Sequence, residues 1–287
     1  MRIAVVGARG QLAAAVVHEC SGTHEVTTVG HDDLDVTDDA AVAAVLGRLA
    51  PDVIINGAGY NLVDAAEDEP IAALNANAFA IRALARAAAG AGATLIHYST
   101  DFVFDGTASR PYTEEDRPNP RSVYATSKLL GEWFAADAPR AYVLRVESLF
   151  GRAPGSRPAK GTVETMLRAM LAGKDVPVFE DRTVTATYVM DAARATREIV
   201  ERRIEPGIYH CVNSGMCTWV EFAEELARQL GVQPRLKHLR LEEAKLRAPR
   251  PLYCALSNAK LAAAGLAMPS WQDAIARYVR AVGRSGT

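Results

Sequence analysis

The sequence predicts a doubly wound α/β protein, a parallel sheet covered by helices (a Rossmann fold), with a smaller C-terminal region that binds substrate. Three observations carry that prediction. Short apolar runs rich in β-branched residues alternate with longer Ala-rich stretches of high helix propensity. A glycine turn, Gly7-Ala8-Arg9-Gly10-Gln11-Leu12-Ala13, follows the first of those runs directly. After Gly151 the alternation stops at a breaker-rich stretch, residues 152–158, that can continue neither a helix nor a central strand.

Residues 3–6, 26–29, 53–55, 94–98 and 142–144 read as successive strands, with stretches such as 39–49 and 75–89, dominated by Ala, Leu and Arg, as covering helices. Residues 207–212 read as one more strand returning to the main sheet. Residues 219–230 have the apolar spacing of an amphipathic helix, and the remainder reads as a cap over the strand ends. The expected division is a dinucleotide-binding domain over 1–151, to which 188–212 returns, and a substrate-binding region from 152–187 and 213–287.

Composition narrows the partners. With 287 residues, 49% hydrophobic and 23% charged, the chain can bury a full core and is too polar for a fibrous or membrane protein. A net charge of -2 supplies no basic field to hold nucleic acid, so a small molecule is the expected partner. Cys20, Cys211, Cys217 and Cys254 form no Cys-x-x-Cys pair, and the six histidines lack metal-ligand spacing. No metal site is predicted. The apolar start of the chain is too short for a signal-peptide core, and no run of about 18 uncharged apolar residues occurs. The expectation is a cytoplasmic protein, a monomer or homodimer.

Three motifs can carry chemistry. In the glycine turn, the backbone bends sharply into a helix whose first amides can hold a pyrophosphate. Tyr124 and Lys128 stand four apart in a helix-like stretch and so share a face. An ammonium near a phenol favours the phenolate, which predicts a lowered Tyr124 pKa. The third is the run from Leu95 to Gly106, a strand ending in Ser99, Thr100 and Asp101, at the carboxyl edge where open α/β sheets bind ligands. Each has a plainer reading: tight turns favour glycine, Tyr–Lys pairs are common on helix surfaces, and Ser, Thr and Asp suit caps. Finding all three in this order makes coincidence a poor account.

The run Ser99-Thr100-Asp101-Phe102-Val103-Phe104-Asp105-Gly106, the segment Tyr112-Thr113-Glu114-Glu115-Asp116, and Tyr124-x-x-x-Lys128 with Gly131-Glu132 closely resemble the dTDP-4-dehydrorhamnose reductases, extended short-chain dehydrogenases/reductases. Residues 58–67, Asn75, Leu144-Arg145 and 248–251 extend the resemblance over nearly the whole chain. It implies a Thr–Tyr–Lys catalytic centre at Thr100, Tyr124 and Lys128, reducing the 4-keto group of a nucleotide-linked 4-keto-6-deoxyhexose with NAD(P)H. It implies cofactor contacts from Gly7, Arg9, Gly10, Gln11 and Leu12, from His31, Asp35 and Val36, from Ala58, Gly59, Tyr60 and Asn75, and from Tyr124 and Lys128 themselves. Substrate contacts are implied for Asp101, Phe102, Val103, Ser148, Arg182, Thr187 and Arg250, the last on the diphosphate.

The departures fall in the hexose half. Val146-Glu147-Ser148 stands where the family has Thr-Ser-Trp, residues 181–187 keep only the ends of an Asp-Gln-x-Gly-x-Pro-Thr pattern, and Ser122 and Ala125 replace an Asn and a Gly. NADPH is expected as cofactor, with NADH possible. Arg9 precedes the second glycine, and Gly30-His31 stand where an acid would repel a 2′-phosphate, although Asp32 and Asp33 follow closely. Two other classes share these motifs. A sugar-nucleotide epimerase or dehydratase has the Tyr–Lys pair, but a 4,6-dehydratase is expected to carry Glu where Phe102 stands. A non-catalytic cofactor-binding subunit, like the regulatory β subunit of methionine adenosyltransferase, keeps the fold and even the Tyr and Lys.

Overall fold

The computed structural model describes residues 1–154, 156 and 161–284. Gly155, Arg157 and Pro158 of the breaker stretch lie outside the described residues. The chain opens with strand β1 (Arg2–Val6), helix α1 (Gln11–Cys20), β2 (Glu25–Val29), α2 (Asp39–Leu49), β3 (Val53–Asn56), α3 (Pro70–Leu74), α4 (Ala80–Ala91) and β4 (Thr94–Thr100). Next come α5 (Val123–Ala135), β5 (Ala141–Val146), β6 (Leu149–Phe150), α6 (Thr162–Leu171), β7 (Asp175–Phe179), β8 (Thr183–Val184), β9 (Thr187–Tyr188) and α7 (Val189–Arg202). It ends with β10 (Gly207–His210), β11 (Cys217–Thr218), α8 (Trp219–Leu230), β12 (Arg235–Leu239), α9 (Ala259–Ala263) and α10 (Trp271–Arg284).

Six strands form one parallel sheet in the order β10-β5-β4-β3-β1-β2. Its central strands are apolar on both faces because both are covered. Successive side chains of a strand point to opposite sides. Ile3, Val5, Ile55 and Ile96 accordingly pack in one core with α1 and α7, and their neighbours Ala4, Val6, Ile54 and Leu95 pack in another with α2 and α4. This is the doubly wound architecture predicted from the alternating runs. The strand expected near the end of the chain is β10, paired in parallel with β5.

A third core gathers Phe150, Trp219, Phe222, Trp271 and Tyr278 with residues of α6, β7 and β8. Its strands are short pairs: β6 with β9, β8 with β11, and β7 with β12. Among the described residues no helix is long and apolar enough to cross a membrane.

The helix expected over 75–89 differs in a way that matters for the site. It starts earlier, at Pro70, a residue whose fixed φ suits a first helical turn, and a π-helical turn at Asn75–Phe79 separates α3 from α4. That turn brings the Asn77 carbonyl against α5, where a Cβ on Gly131 would come within 2.2 Å of it. Asn77 Nδ2 also donates to Ser127 Oγ at 3.0 Å. The helix carrying Tyr124 and Lys128 is thereby seated on the π turn.

Candidate active site

The glycine turn is built by a backbone that no other residue allows. Gly7 has φ +71°, and a Cβ there would lie 2.5 Å from the Ala58 nitrogen. Gly10 is the N-cap of α1 and offers no side chain to its first amides, which open toward a cleft of about 490 Å³ at the carboxyl ends of the strands. Here the sheet order switches, β2 lying on one side of β1 and β3 on the other, which is where open α/β sheets hold ligands. Gly10, Gln11 and Leu12 from one side and Ala58 from the other line the cleft. Gln11 Nε2 donates to the Gly151 carbonyl at 2.7 Å, tying the turn to the end of β6. A larger hollow of about 1090 Å³ lies at the amino ends of the strands, beside Arg2, Asp52, Thr94 and Arg140, and contains none of the predicted site residues.

Thr100, Tyr124 and Lys128 all line the 490 Å³ cleft, at 7%, 8% and 6% exposure. Thr100 ends β4. The other two rise from the first turns of α5, whose start is fixed by Ser122 Oγ accepting from the Ala125 amide at 3.2 Å. Lys128 Nζ donates to the Tyr98 carbonyl at 2.6 Å. Burial lowers its pKa to about 8, opposed by the nearby Glu132 carboxylate. The predicted lowering of the Tyr124 pKa is not found. Burial, then the charge of Asp101, push the phenol up to about 12 against the hydrogen bond with Thr100. Desolvation sets the direction, and Tyr124 is neutral at physiological pH, the form a proton donor needs.

Asp101 and Phe102 follow Thr100 in a 3₁₀ turn, and both line the cleft. Phe102 stands edge-on to Tyr124 with ring centroids 5.9 Å apart. Ser148, Arg182 and Arg250 line the cleft as well. Ser148 holds φ +44°, unusual for a side-chain-bearing residue, at the bend between β5 and β6. Arg250 Nη2 pairs with Asp64 Oδ2 at 2.8 Å, and its guanidinium lies 5.9 Å from the Phe102 ring centroid.

Other predicted residues lie outside the cleft lining. Val103 is fully buried in a separate apolar cluster with Phe104 and Tyr112, and Thr187 is fully buried in β9. Asn75 begins the π turn, whereas Asn77 bonds the loop after β3, accepting from the Tyr60 amide at 2.8 Å and donating to the Tyr60 carbonyl at 2.9 Å. Gly59 and Tyr60 belong to that loop. His31, Asp35 and Val36 lie beyond β2; Asp35 accepts from the Thr37 amide and hydroxyl. Arg9 is exposed and paired with Asp32, while Asp33 turns back to accept from the Gly30 amide.

Sequence reasoning missed Asn61, Val63, Thr162 and Trp219, which also line the cleft. Trp219 enters from the first residue of α8, so an aromatic reaches the cleft from a different element than the one that lost it. Glu147, 2% exposed, was also missed; its Oε2 accepts from the Thr185 amide at 2.8 Å.

A glycine turn at the first strand of a parallel sheet, with a Thr, a Tyr and a Lys gathered where the sheet order switches, defines an extended short-chain dehydrogenase/reductase. Within that class the chain belongs to the RmlD substrate binding domain family, whose sequence profile matches residues 1–284. It is 35% identical to the dTDP-4-dehydrorhamnose reductase of Sinorhizobium fredii, over 98% of each chain. It is also 35% identical to a probable dTDP-4,6-dihydroxy-2-methyloxan-3-one 4-ketoreductase of Streptomyces antibioticus, over 96% of this chain and 93% of that one. The solved dTDP-4-dehydrorhamnose reductase of Bacillus anthracis, in complex with NADP, superposes with a TM-score of 0.90 at 30% identity, covering 96% of this chain and 98% of that one.

Proposed function

We propose that the protein reduces the 4-keto group of a dTDP-linked 4-keto-6-deoxyhexose, with NADPH as the hydride donor, in deoxysugar biosynthesis in the cytoplasm. The observation that carries this reading is the gathering of Thr100, Tyr124 and Lys128 in a cleft that begins at the glycine turn. The turn fits a dinucleotide: Gly7 leaves no room for a Cβ, and the uncapped amides of α1 face the cleft. The reduced nicotinamide supplies the hydride when bound.

The protein's own part is orientation and proton supply. Tyr124 donates its phenolic proton to the carbonyl oxygen as the 4-hydroxyl forms, and Thr100 donates a hydrogen bond to the same oxygen. Lys128, held at the Tyr98 carbonyl, presents an ammonium to the cofactor ribose and stabilises the phenolate left on Tyr124. Arg250 is the anchor for the substrate diphosphate, and residues 152–187 and 213–287 form the substrate-binding region.

Ser148, Arg182 and Trp219 shape the hexose end, and the altered run at 146–148 supports a preferred sugar other than 4-dehydrorhamnose. NADPH oxidation followed with a panel of dTDP-4-keto-6-deoxysugars tests both points. Turnover of one of them to a 4-hydroxy product, faster than of dTDP-4-dehydrorhamnose, is the expected result. Cofactor binding with no turnover of any of them would sink the reductase reading in favour of a binding subunit.

A further inference from the structure

Three buried groups meet next to Thr100. They are Asp101, Glu147 and Cys254, with one carboxylate or sulfur atom of each within 4.8 Å of the others. Asp101 is 4% exposed and Glu147 2%. Thr100 Oγ1 lies 3.0 Å from Asp101 Oδ1, and Glu147 Oε2 accepts from both the amide and the hydroxyl of Thr185. The second oxygen of each acid, Asp101 Oδ2 and Glu147 Oε1, is buried without a partner. Two neighbouring carboxyls with undonated buried oxygens are strongly disfavoured if both are ionised, and one proton between them relieves the repulsion.

Charge leads to the same count. Arg182 is the cation beside the pair, its Nε donating to the Pro251 carbonyl and its Nη2 to Cys254 Sγ, both at 3.1 Å. One carboxylate neutralises it; a second would leave a buried net negative charge. The other titratable groups facing the pair are Cys254, Cys217, Tyr253 and Tyr124, all raised by burial and therefore uncharged near neutrality. Burial likewise raises Asp101 to about 6 despite Arg182, and burial with the charge of Asp101 lifts Glu147 well above the carboxylate range.

We propose that Asp101 and Glu147 share one proton, and that this proton sets the direction of the Thr100 hydroxyl, Glu147 being a positioning residue that acts through Asp101. The inference rests on the reading of Thr100 and Tyr124 as the two hydroxyls that meet the substrate carbonyl. Thr100 has a single hydrogen to give. When Asp101 is ionised, that hydrogen goes to Asp101 Oδ1. When Asp101 is protonated, its carboxyl donates to Thr100 Oγ1, and the threonine hydrogen is free for the carbonyl oxygen. The shared proton stays in the pair, and the proton that enters the product still comes from Tyr124.

The test combines infrared spectra of the protein alone with the pH dependence of kcat. A protonated-carboxyl band is expected at pH 7, and both Glu147→Gln and Asp101→Asn should remove it. In Glu147→Gln the amide oxygen can keep the Thr185 contacts while the like charge is gone, so Asp101 loses its proton earlier and the alkaline fall in kcat moves down by about 1–2 pH units. Asp101→Asn carries an amide that donates to Thr100 at every pH. Its kcat, whatever its level, should lose the alkaline fall, and adding Glu147→Gln to it should produce no further shift, as expected for residues acting through one another. Absence of the band in the parent protein, or an unmoved kcat profile in Glu147→Gln, overturns the pair. A band that both substitutions remove, in a protein that turns over no ketosugar, leaves the pair standing and sinks the reductase reading instead.

Discussion

Burial governs both members of the Tyr–Lys pair, raising the phenol of Tyr124 to about 12 and lowering the ammonium of Lys128 to about 8. The two shifts separate their jobs. Tyr124→Phe deletes the proton donor and keeps the ring against Phe102, so turnover should fall by roughly 10²–10⁴ with cofactor affinity little affected, as steady-state kinetics and titration calorimetry would show. Lys128 is charged below about pH 8 and neutral above it. Cofactor affinity in the parent protein should therefore weaken as pH rises through about 8, and Lys128→Met should be weaker throughout and lose that dependence. The stability sign follows from the same shift. Between about 8 and the ordinary 10.5 the unfolded chain binds more protons at Lys128 than the native one, so this residue's contribution becomes more favourable to folding as pH rises across that window. The spacing of Tyr124 and Lys128 was legible in the sequence because helical geometry puts positions four apart on one face. The direction of the Tyr124 shift was not, since it depends on burial and on Asp101, which the fold brings in from β4. Glu147 escaped for the same reason, its meaning being set by Asp101, Thr185 and Arg182 from separate segments.

Helix α5 positions both catalytic candidates, and two contacts hold it. At its N-terminus Ser122→Ala removes the hydroxyl that caps the Ala125 amide, and about 0.5–2 kcal/mol of stability should go with it, measurable by chemical denaturation. In its middle, Gly131→Ala would put a Cβ 2.2 Å from the Asn77 carbonyl, which is backbone and cannot swing aside. Overpacking of this kind typically costs about 1–3 kcal/mol, and here it should also lower kcat by tilting Tyr124. A Gly131→Ala protein with parental stability and turnover would show that α5 does not depend on the π turn. The main strands were legible because buried parallel strands read as continuous apolar runs, and the glycine turn because Gly7 alone tolerates its φ and its approach to Ala58. The π turn was not, since Ala, Leu and Arg dominate residues 75–89, and the weaker formers Asn75, Asn77 and Phe79 that fall in it lower helix propensity without specifying a wider turn. The two-residue strands β6, β8, β9 and β11 were equally hidden, because their pairing is set by the third core rather than by their own sequence.

At the scale of the whole molecule, any ligand that binds only the folded chain raises its stability by mass action, so cofactor choice can be read from thermal unfolding without turnover. Arg9, exposed within the glycine turn, approaches Gly30 at the end of β2, and it is paired with Asp32. The exposed pair is worth little in itself. A 2′-phosphate carries more charge than the Asp32 carboxylate and offers a guanidinium several oxygens, so it can take Arg9 over, whereas a 2′-hydroxyl can only accept a hydrogen bond from it. Asp33 accepts from the Gly30 amide through one oxygen, and Asp32 is engaged by Arg9. NADPH should therefore raise Tm more than NADH at equal concentration. If NADPH is present at 100 times its Kd, the gain is about 2.7 kcal/mol, or roughly 4–5 °C for a chain of 287 residues. Arg9→Ala should narrow the difference between the cofactors, and Asp32→Asn, which frees Arg9 from its partner, should widen it. A larger Tm increase with NADH in the parent protein would assign the Arg9–Asp32 pair to the surface alone and make Asp32 the candidate ribose ligand.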